Sequence, residues 1–370
     1  ARRGERGGGS DRQLRRLGHD NVVFRVPDRM RHGYGLTPAL VADLAGEPAD
    51  LLITVDNGVS ALAGVESAKA LGMQVLVTDH HLPGPNLPAC AAMVNPNLAG
   101  AGFGSRALAG VGVAFYLMAS LTRELESRRG CKLPAVADLL DLVAPGTVAD
   151  LVPLDRNNRI LVQEGLKRVR ARLAAPGLIA LAQVAGCRLE ELSARHLGHQ
   201  IAPRLNAAGR IDDMSVGIRC LLTDDWAEAL TYARELDRLN RERREMEVRM
   251  RDEAAIAVRR LHLQEGSLPA GVALYDRGWH AGIVGLVANR MKDRVHRPVV
   301  AFAPAGNGEL RGSARSVAGV HVRDVLEAID TRHPGLIDRF GGHAMAAGLT
   351  LREDRLQKFT DAFGEEVGRH

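Results

Sequence analysis

Asp79-His80-His81 places two imidazoles beside a carboxylate. That donor set suits a divalent ion such as Mn²⁺, which accepts carboxylate oxygen and imidazole nitrogen together. The triplet closes Gln74-Val75-Leu76-Val77-Thr78, which reads as a buried strand, and Leu82-Pro83-Gly84-Pro85 breaks the chain directly after it. The carboxyl end of a strand is where open α/β sheets put their sites. A second strand, Leu51-Leu52-Ile53-Thr54-Val55, ends the same way in Asp56-Asn57-Gly58. A third acidic residue, Asp150, follows an apolar stretch and lies between Pro145 and Pro153. An unpaired carboxylate in such a run is costly unless a metal or partner holds it. Taken singly, Asp-Asn-Gly is a turn, a His pair is a satisfied surface pair and Asp150 is a helix cap. Together, three strand or loop ends each delivering a ligand favour a metal centre, and a carboxylate bridging two ions suits in-line displacement at phosphorus.

The elements that would carry these residues alternate as strand and helix. The pattern predicts strands over 22–26, 51–55 and 74–78 and helices over 37–44, 61–71, 111–125 and 135–143, which favours a parallel sheet with right-handed crossovers. Residues 1–12 are poor in apolar side chains and read as disordered. Residues 157–222 read as mainly helical, broken at Pro176-Gly177 and Pro203. From Trp226 to about Leu261, Leu230, Ala233, Leu236, Leu239, Met246 and Met250 recur at helical spacing without Gly or Pro between them. That helix reads as a connector, because a new pattern follows it: strands over 272–275, 299–302 and 348–351 and helices over 283–293 and 322–329. The expected division is 1–222, a linking helix over 223–265, and 266–370.

A chain of 370 residues with 46% apolar side chains exceeds one core and implies two domains. Aromatics are only 4%, so aliphatic residues must build the cores. The net charge of +5 permits an anionic partner without naming one. Cys90, Cys131, Cys187 and Cys220 are widely spaced, with no C-x-x-C, and read as reduced buried thiols. There is no apolar run long enough to cross a membrane and no signal-peptide core. Gly110-Val111-Gly112 reads as a helix-start packing motif, since the full G-x-G-x-x-G is absent.

Val55-Asp56-Asn57-Gly58, Val77 through Gly84 around Asp79-His80-His81, Gly146-Thr147-Val148-Ala149-Asp150 and Phe340-Gly341-Gly342-His343 together resemble the DHH phosphoesterases. The segments between, including Val26-Pro27-Asp28-Arg29, Gly33-Tyr34-Gly35-Leu36, Ala109 to Ala114 and Pro203 to Arg210, resemble the RecJ-type single-strand-specific exonucleases of that family. The resemblance implies a parallel-sheet DHH domain joined by a long helix to a smaller α/β DHH-associated domain, with substrate between them. It implies two divalent ions, Mn²⁺ or Mg²⁺: Asp56 bridging, His80 and Asp150 as ligands, Asp79 and His81 orienting ligands or assisting the phosphoryl centre. It implies substrate contacts at Arg29, Arg204, Asn206 and Arg210 in the first unit. In the second it implies them at Ser313, Arg315, Gly341, Gly342 and His343. The implied activity is 5′→3′ hydrolysis of single-stranded DNA to mononucleotides, in repair and recombination, in the cytoplasm and without membrane contact; the oligomeric state stays open, with a monomer favoured. Single-strand-binding protein and a recombination helicase are the implied protein partners.

Two family features are expected to be missing. The Asp-x-Asp-Ala-Asp-Gly loop that precedes the Val-Pro-x-Arg segment has no counterpart in Ala1 to Arg25, and no oligonucleotide-binding domain follows the second unit. The expectation is a truncated chain whose centre is short of carboxylates. Two other readings stay open: a DHH phosphatase or short-oligonucleotide nuclease, and a catalytically dead fragment that binds single-stranded DNA.

Overall fold

The computed structural model describes residues 8–27, 32, 35–46, 49–211, 213–265 and 268–370, and only the backbone of 8–11 and 260–265. It divides into two units, Ala1–Asn240 and Arg241–His370.

The first unit opens with α1 (Gly8–Arg16) and α2 (Pro38–Leu44). A three-stranded sheet follows: β1 (Leu51–Val55), α3 (Leu62–Ala70), β2 (Gln74–Thr78) and β3 (Ala92–Val94), all parallel, in the order β1-β2-β3. Side chains alternate across a strand, and β2 uses both faces. Val75 and Val77 join Leu40, Val41, Val65 and Ala68 in a core formed with α2 and α3. Val94, in register with Thr78, belongs instead to a core with α4 (Gly110–Arg129) and α5 (Leu140–Ala149). The sheet is therefore covered on both sides, as parallel sheets require.

A helical body follows: α6 (Arg156–Arg170), α7 (Pro176–Val184), α8 (Ala194–His196), a π-helical turn over Leu197–Ile201, α9 (Ala202–Ile211), α10 (Ser215–Leu222) and the start of α11 (Trp226–Glu265). Its core, from Ala144 through Leu178, Leu181, Leu197 and Ile201 to Leu236, is almost entirely aliphatic. Helix α11 runs 40 residues, roughly 60 Å at the ordinary rise per residue, and the division between units falls inside it.

The second unit has a mixed five-stranded sheet. Its elements are β4 (Val272–Tyr275), α12 (Val284–Val295), β5 (Val299–Gly306), β6 (Glu309–Arg315), α13 (Val322–Arg332), β7 (Arg339–Gly342), β8 (Ala346–Arg352) and α14 (Leu356–Val367), with strand order β4-β5-β6-β8-β7. Only β4–β5 is parallel. Val300, Phe302, Leu310 and Ala314 pack under α13 and α14. Alternation turns Ala301, Ser313 and Arg315 to the other face, where Gly285 of α12 lies close to the Ser313 and Arg315 side chains.

Several expected elements differ. Disorder was expected over 1–12, but Gly8–Arg16 is a helix, and residues 1–7 lie outside the described residues. Residues 22–26 pair with no strand among the described residues; Arg15 binds the Val22 carbonyl instead. The helix expected over 135–143 is a 3₁₀ turn over Val136–Leu139 that passes into α5 and continues through Pro145 to Ala149. Pro203 does not break the chain either: the π-helical turn over Leu197–Ile201 runs directly into α9, and Pro203 sits just past that irregular turn. Cys131 is exposed; Cys220 alone is fully buried, and burial pushes its thiol up to about 12. Strands β3, β6 and β7 escape sequence reading because they are short or built from Gly, Ser, Ala and Arg. Among the described residues, no helix is long and apolar enough to cross a membrane.

Close backbone packing sets one stability limit. A Cβ at Gly177, in the first turn of α7, would lie 1.6 Å from the Cys220 carbonyl oxygen of α10. Two backbones must then separate, so Gly177→Ala is expected to cost about 2 kcal/mol or more. A lowered urea midpoint with an unchanged m-value checks it.

Candidate metal centre

Hydrogen bonds at the end of β1 shape the first ligand. The Asp56 amide still donates to Thr78 O at 3.0 Å, as a last rung between β1 and β2. Then the chain turns: Asp56 adopts φ 65°, a left-handed conformation in which short polar side chains are enriched. Asn57 Nδ2 donates to Val55 O at 2.9 Å, and Thr54 Oγ1 donates to Asn57 O at 2.6 Å. Gly58 has φ 120°, and a Cβ there would meet Thr54 Oγ1 at 2.7 Å, so this turn position requires glycine. Asn57 and Gly58 thus make the turn, and Asp56 is left pointing outward with its side chain 55% exposed.

Asp79 faces the other way. It is 1% exposed, and both oxygens are occupied. Oδ2 accepts from the Val59 amide at 2.8 Å; Oδ1 accepts from the His80 amide at 2.7 Å, the His81 amide at 3.1 Å and His81 Nδ1 at 2.7 Å. Burial raises its pKa, but the His81 ring and the three amides outweigh burial and hold the carboxyl below its ordinary range. Asp79 therefore stays ionised, ties the loop after β1 to the loop after β2, and fixes His81 with Nδ1 inward and Nε2 outward.

His80 carries the centre. Its Nε2 lies 3.0 Å from Asp56 Oδ1 and 3.4 Å from Asp150 Oδ2, yet this buried nitrogen makes no aligned hydrogen bond. Asp56, His80 and His81 also offer ligand atoms all within 4.8 Å of one another. A buried imidazole nitrogen between two carboxylates without a proper bond to either is the donor set of a divalent cation site, and Mn²⁺ or Mg²⁺ fits it. His80, His81 and Asp150 are each shifted by these surroundings. Asp56, at hydrogen-bond range, pushes the His80 pKa up against the opposing effect of burial, and Asp150 adds to the rise. The bond to Asp79 does the same for His81. Burial pushes Asp150 up, and the Asp56 charge reinforces it.

Asp150 arrives from a helix end: it is the C-cap of α5, its amide bonded to Gly146 O at 3.1 Å. Leu151, directly after it, has φ 59° and is 88% exposed. Gly110 completes the setting. A Cβ on it would fall 2.3 Å from Asp56 Oδ1, so the carboxylate rests against the first turn of α4, where backbone amides favour an anion. Sequence reading assigned Gly110 to packing alone; its position at the start of a helix downstream of two ligand loops was the signal for a closer role.

The residues expected at substrate lie in two other places. Arg29 lies outside the described residues. Arg204, Asn206 and Arg210 are all on α9. At helical spacing Asn206 and Arg210 share a stripe, whereas Arg204 turns to α11: Nε donates to Asp237 Oδ1 at 2.9 Å and Nη1 to Gln200 O at 2.6 Å. In the second unit, Ser313, Gly348 and Gly341 stand in register across β6, β8 and β7, and neither glycine crowds that row. Arg315 Nη1 donates to Ser313 Oγ at 2.9 Å beside it. Gly342 has φ 147°, and a Cβ there would meet Ala346 O at 2.4 Å; His343 then begins the turn to β8, its amide donating to Ala346 O at 2.8 Å. Ser313, Arg315, Gly341, Gly342 and His343 thus gather at one end of the second sheet.

Two outcomes follow from this geometry. Gly110→Ala is expected to displace the Asp56 carboxylate and to weaken Mn²⁺ binding at least tenfold, while Gly104→Ala, which meets nothing within 4 Å, leaves it unchanged; calorimetric titration checks both. The second concerns pH. His80 and His81 have folded pKa values raised above the ordinary 6.5. Their protonation contributes stability that is full below pH 6.5 and lost as pH rises through the folded values. The urea midpoint of the metal-free protein should fall over that window, and less so in His80→Asn. Saturating Mn²⁺ should reverse the slope, because the ion needs Nε2 deprotonated.

Comparison with known proteins gives a consistent set of matches. Residues 11–147 match the DHH family N-terminal domain and residues 268–369 match the DHHA1 domain. The chain is 53% identical over 360 residues to the single-stranded-DNA-specific exonuclease RecJ of Dickeya dadantii, covering 96% of this chain and 62% of that protein. It is 52% identical to RecJ of Escherichia coli, again spanning 62% of its length. Among solved structures it is similar to exonuclease RecJ bound to manganese, with a TM-score of 0.79 and 35% identity over 97% of this chain and 85% of that one. It is also similar to RecJ of Thermus thermophilus in complex with Mn²⁺, with a TM-score of 0.78 and 33% identity over 97% of this chain and 49% of that one.

Proposed function

Because the chain belongs to the RecJ-type exonucleases of the DHH family, we propose that it carries the core of a divalent-metal phosphodiesterase that degrades single-stranded DNA from the 5′ end to mononucleotides. The observation that carries this reading is His80 Nε2, buried and facing Asp56 Oδ1 and Asp150 Oδ2 without an aligned bond. Asp56, His80 and Asp150 would hold the ion, and His81 lies within reach of it. When bound, the ion supplies Lewis acidity at the phosphoryl oxygen and a water of lowered pKa.

The chain's own groups do the rest. Asp79 accepts the His81 Nδ1 proton, so a neutral His81 presents a bare Nε2 and a protonated one presents a donor. The ring can thus hold a proton at Nε2 against a phosphoryl or departing oxygen. The bond to Asp79 raises the ring's pKa and so favours the protonated form. Asn206 and Arg210 on α9, and in the second unit Ser313, Arg315, Gly341, Gly342 and His343, are proposed as phosphate contacts. Arg29 joins them on family resemblance alone. Arg204, engaged with Asp237, is proposed to hold α9 in place behind that stripe. Contacts of this kind read no bases, so binding weakens steeply with salt.

DNA repair and recombination is the proposed setting, in the cytoplasm, with single-strand-binding protein and a recombination helicase as proposed partners. A phosphatase or nuclease for very short oligonucleotides is the rival that Ser313, Arg315 and His343 also suit.

The test is release of mononucleotides from a 5′-labelled single strand in Mn²⁺, compared with a duplex and a dinucleotide. Mn²⁺-dependent release from the long single strand, abolished in His80→Ala, is expected. Equal or faster cleavage of the dinucleotide would favour the rival, and release that survives His80→Ala would refute the proposed centre.

A further inference from the structure

Past Asp79, whose amide still donates to Val94 O at 3.1 Å, the chain loses its sheet partners, and every backbone polar group of His80 and His81 must find another. The amides go to Asp79 Oδ1. The carbonyls go to two asparagines just beyond β3. Asn97 Nδ2 donates to His80 O at 2.6 Å and Asn95 Nδ2 donates to His81 O at 2.9 Å. The Asn95 carboxamide also fixes the backbone that carries Asn97, since the Asn97 backbone amide donates to Asn95 Oδ1 at 2.8 Å. Asn97 Nδ2 also reaches Arg106 O at 3.3 Å, on the segment that leads to Gly110 and α4. Asn95 is 4% exposed, so its carboxamide has left water for these bonds.

An Asn-Pro-Asn segment after a strand is ordinarily a turn. A turn does not explain why both side chains aim their N–H₂ groups at consecutive carbonyls of the two histidines. It also does not explain the burial of Asn95, whose desolvation costs free energy unless the group is fully bonded. A carboxamide is suited to this place: one end donates to a carbonyl while the other accepts an amide. Aspartate has the same shape and no donor.

We propose that Asn95 and Asn97 are positioning residues that fix the His80 and His81 backbone and so aim both imidazoles at the cation site. The inference rests on the metal-centre reading given above and adds to it the residues that preorganise it. With Asp79 on the His81 amide and Asn97 on the His80 carbonyl, the peptide plane between the two histidines is held at both ends, and the peptides flanking it are each held at one, by Asp79 on the His80 amide and by Asn95 on the His81 carbonyl. Only side-chain rotation is left to disperse the rings. Groups behind metal-binding histidines typically change metal affinity by about 10–100-fold when removed.

The test uses the whole chain and the variants Asn97→Ala, Asn97→Asp, Asn97→Gln and Asn95→Ala, with Mn²⁺ as the probe. Calorimetry should show Mn²⁺ affinity reduced by about tenfold or more in Asn97→Ala and Asn97→Asp, with partial recovery in Asn97→Gln, which keeps the donor. Asn97 is the informative site if Asn95→Ala proves unstable, because it is less buried. A second readout needs no metal: the imidazole nitrogen resonances of His80 and His81 should be single and dispersed in the parent protein and should broaden or converge in Asn97→Ala. Affinity within twofold of the parent, or unchanged histidine resonances in a folded Asn97→Ala, would overturn the proposal and leave the asparagines a stabilising turn. If the parent protein itself takes up no Mn²⁺, the metal-centre reading fails, and the resonances alone decide whether the asparagines orient the rings.

Discussion

The whole centre depends on one buried anion. Asp79 sits where two loops meet and binds an amide from each, and it also holds the His81 ring. A carboxylate in that position loses its hydration, and the burden is offset only because four donors converge on it. The arrangement makes the end of β1 and the end of β2 a single piece of structure. Asp56 and His80 then come within 3.0 Å without any direct bond required to bring them there.

Around that anchor, small residues determine what else can approach. Gly110 lets α4 touch Asp56, and Gly58 lets the chain turn away beneath Thr54 and Val77. Gly342 serves the second sheet in the same way, making room for β8 at the point where His343 leaves β7. In each case the glycine matters for the side chain it excludes: its neighbour is a ligand, a core valine or a backbone carbonyl.

Much of this was legible in the sequence, and the parts that were not have physical causes. β1 and β2 are continuous apolar runs ending in Asp, so their existence, their pairing and the exit of Asp56 and Asp79 at one edge could be read directly. The role division within Asp79-His80-His81 could not, because sequence does not say which carboxylate turns inward. Asp150 was read on a strand or loop end and lies at the end of a helix that continues through Pro145, a residue that local pattern reads as a break. Arg204 was read as facing nucleic acid and is paired with Asp237, a partner 33 residues away that local pattern could not supply. The strand carrying Ser313 and Arg315 stayed hidden because glycine, serine and alanine give it no apolar signature.

Asp56 and His80 come from a sheet, whereas Asp150 comes from the end of a helix in a body built around a different core. The three meet only when both cores are formed and docked, so the cluster is absent from any partly folded chain that has completed just one of them. An ion that needs all three groups recognises the finished state alone. It would therefore lengthen the lifetime of that state by slowing its opening, and leave the speed at which the chain first collapses unchanged.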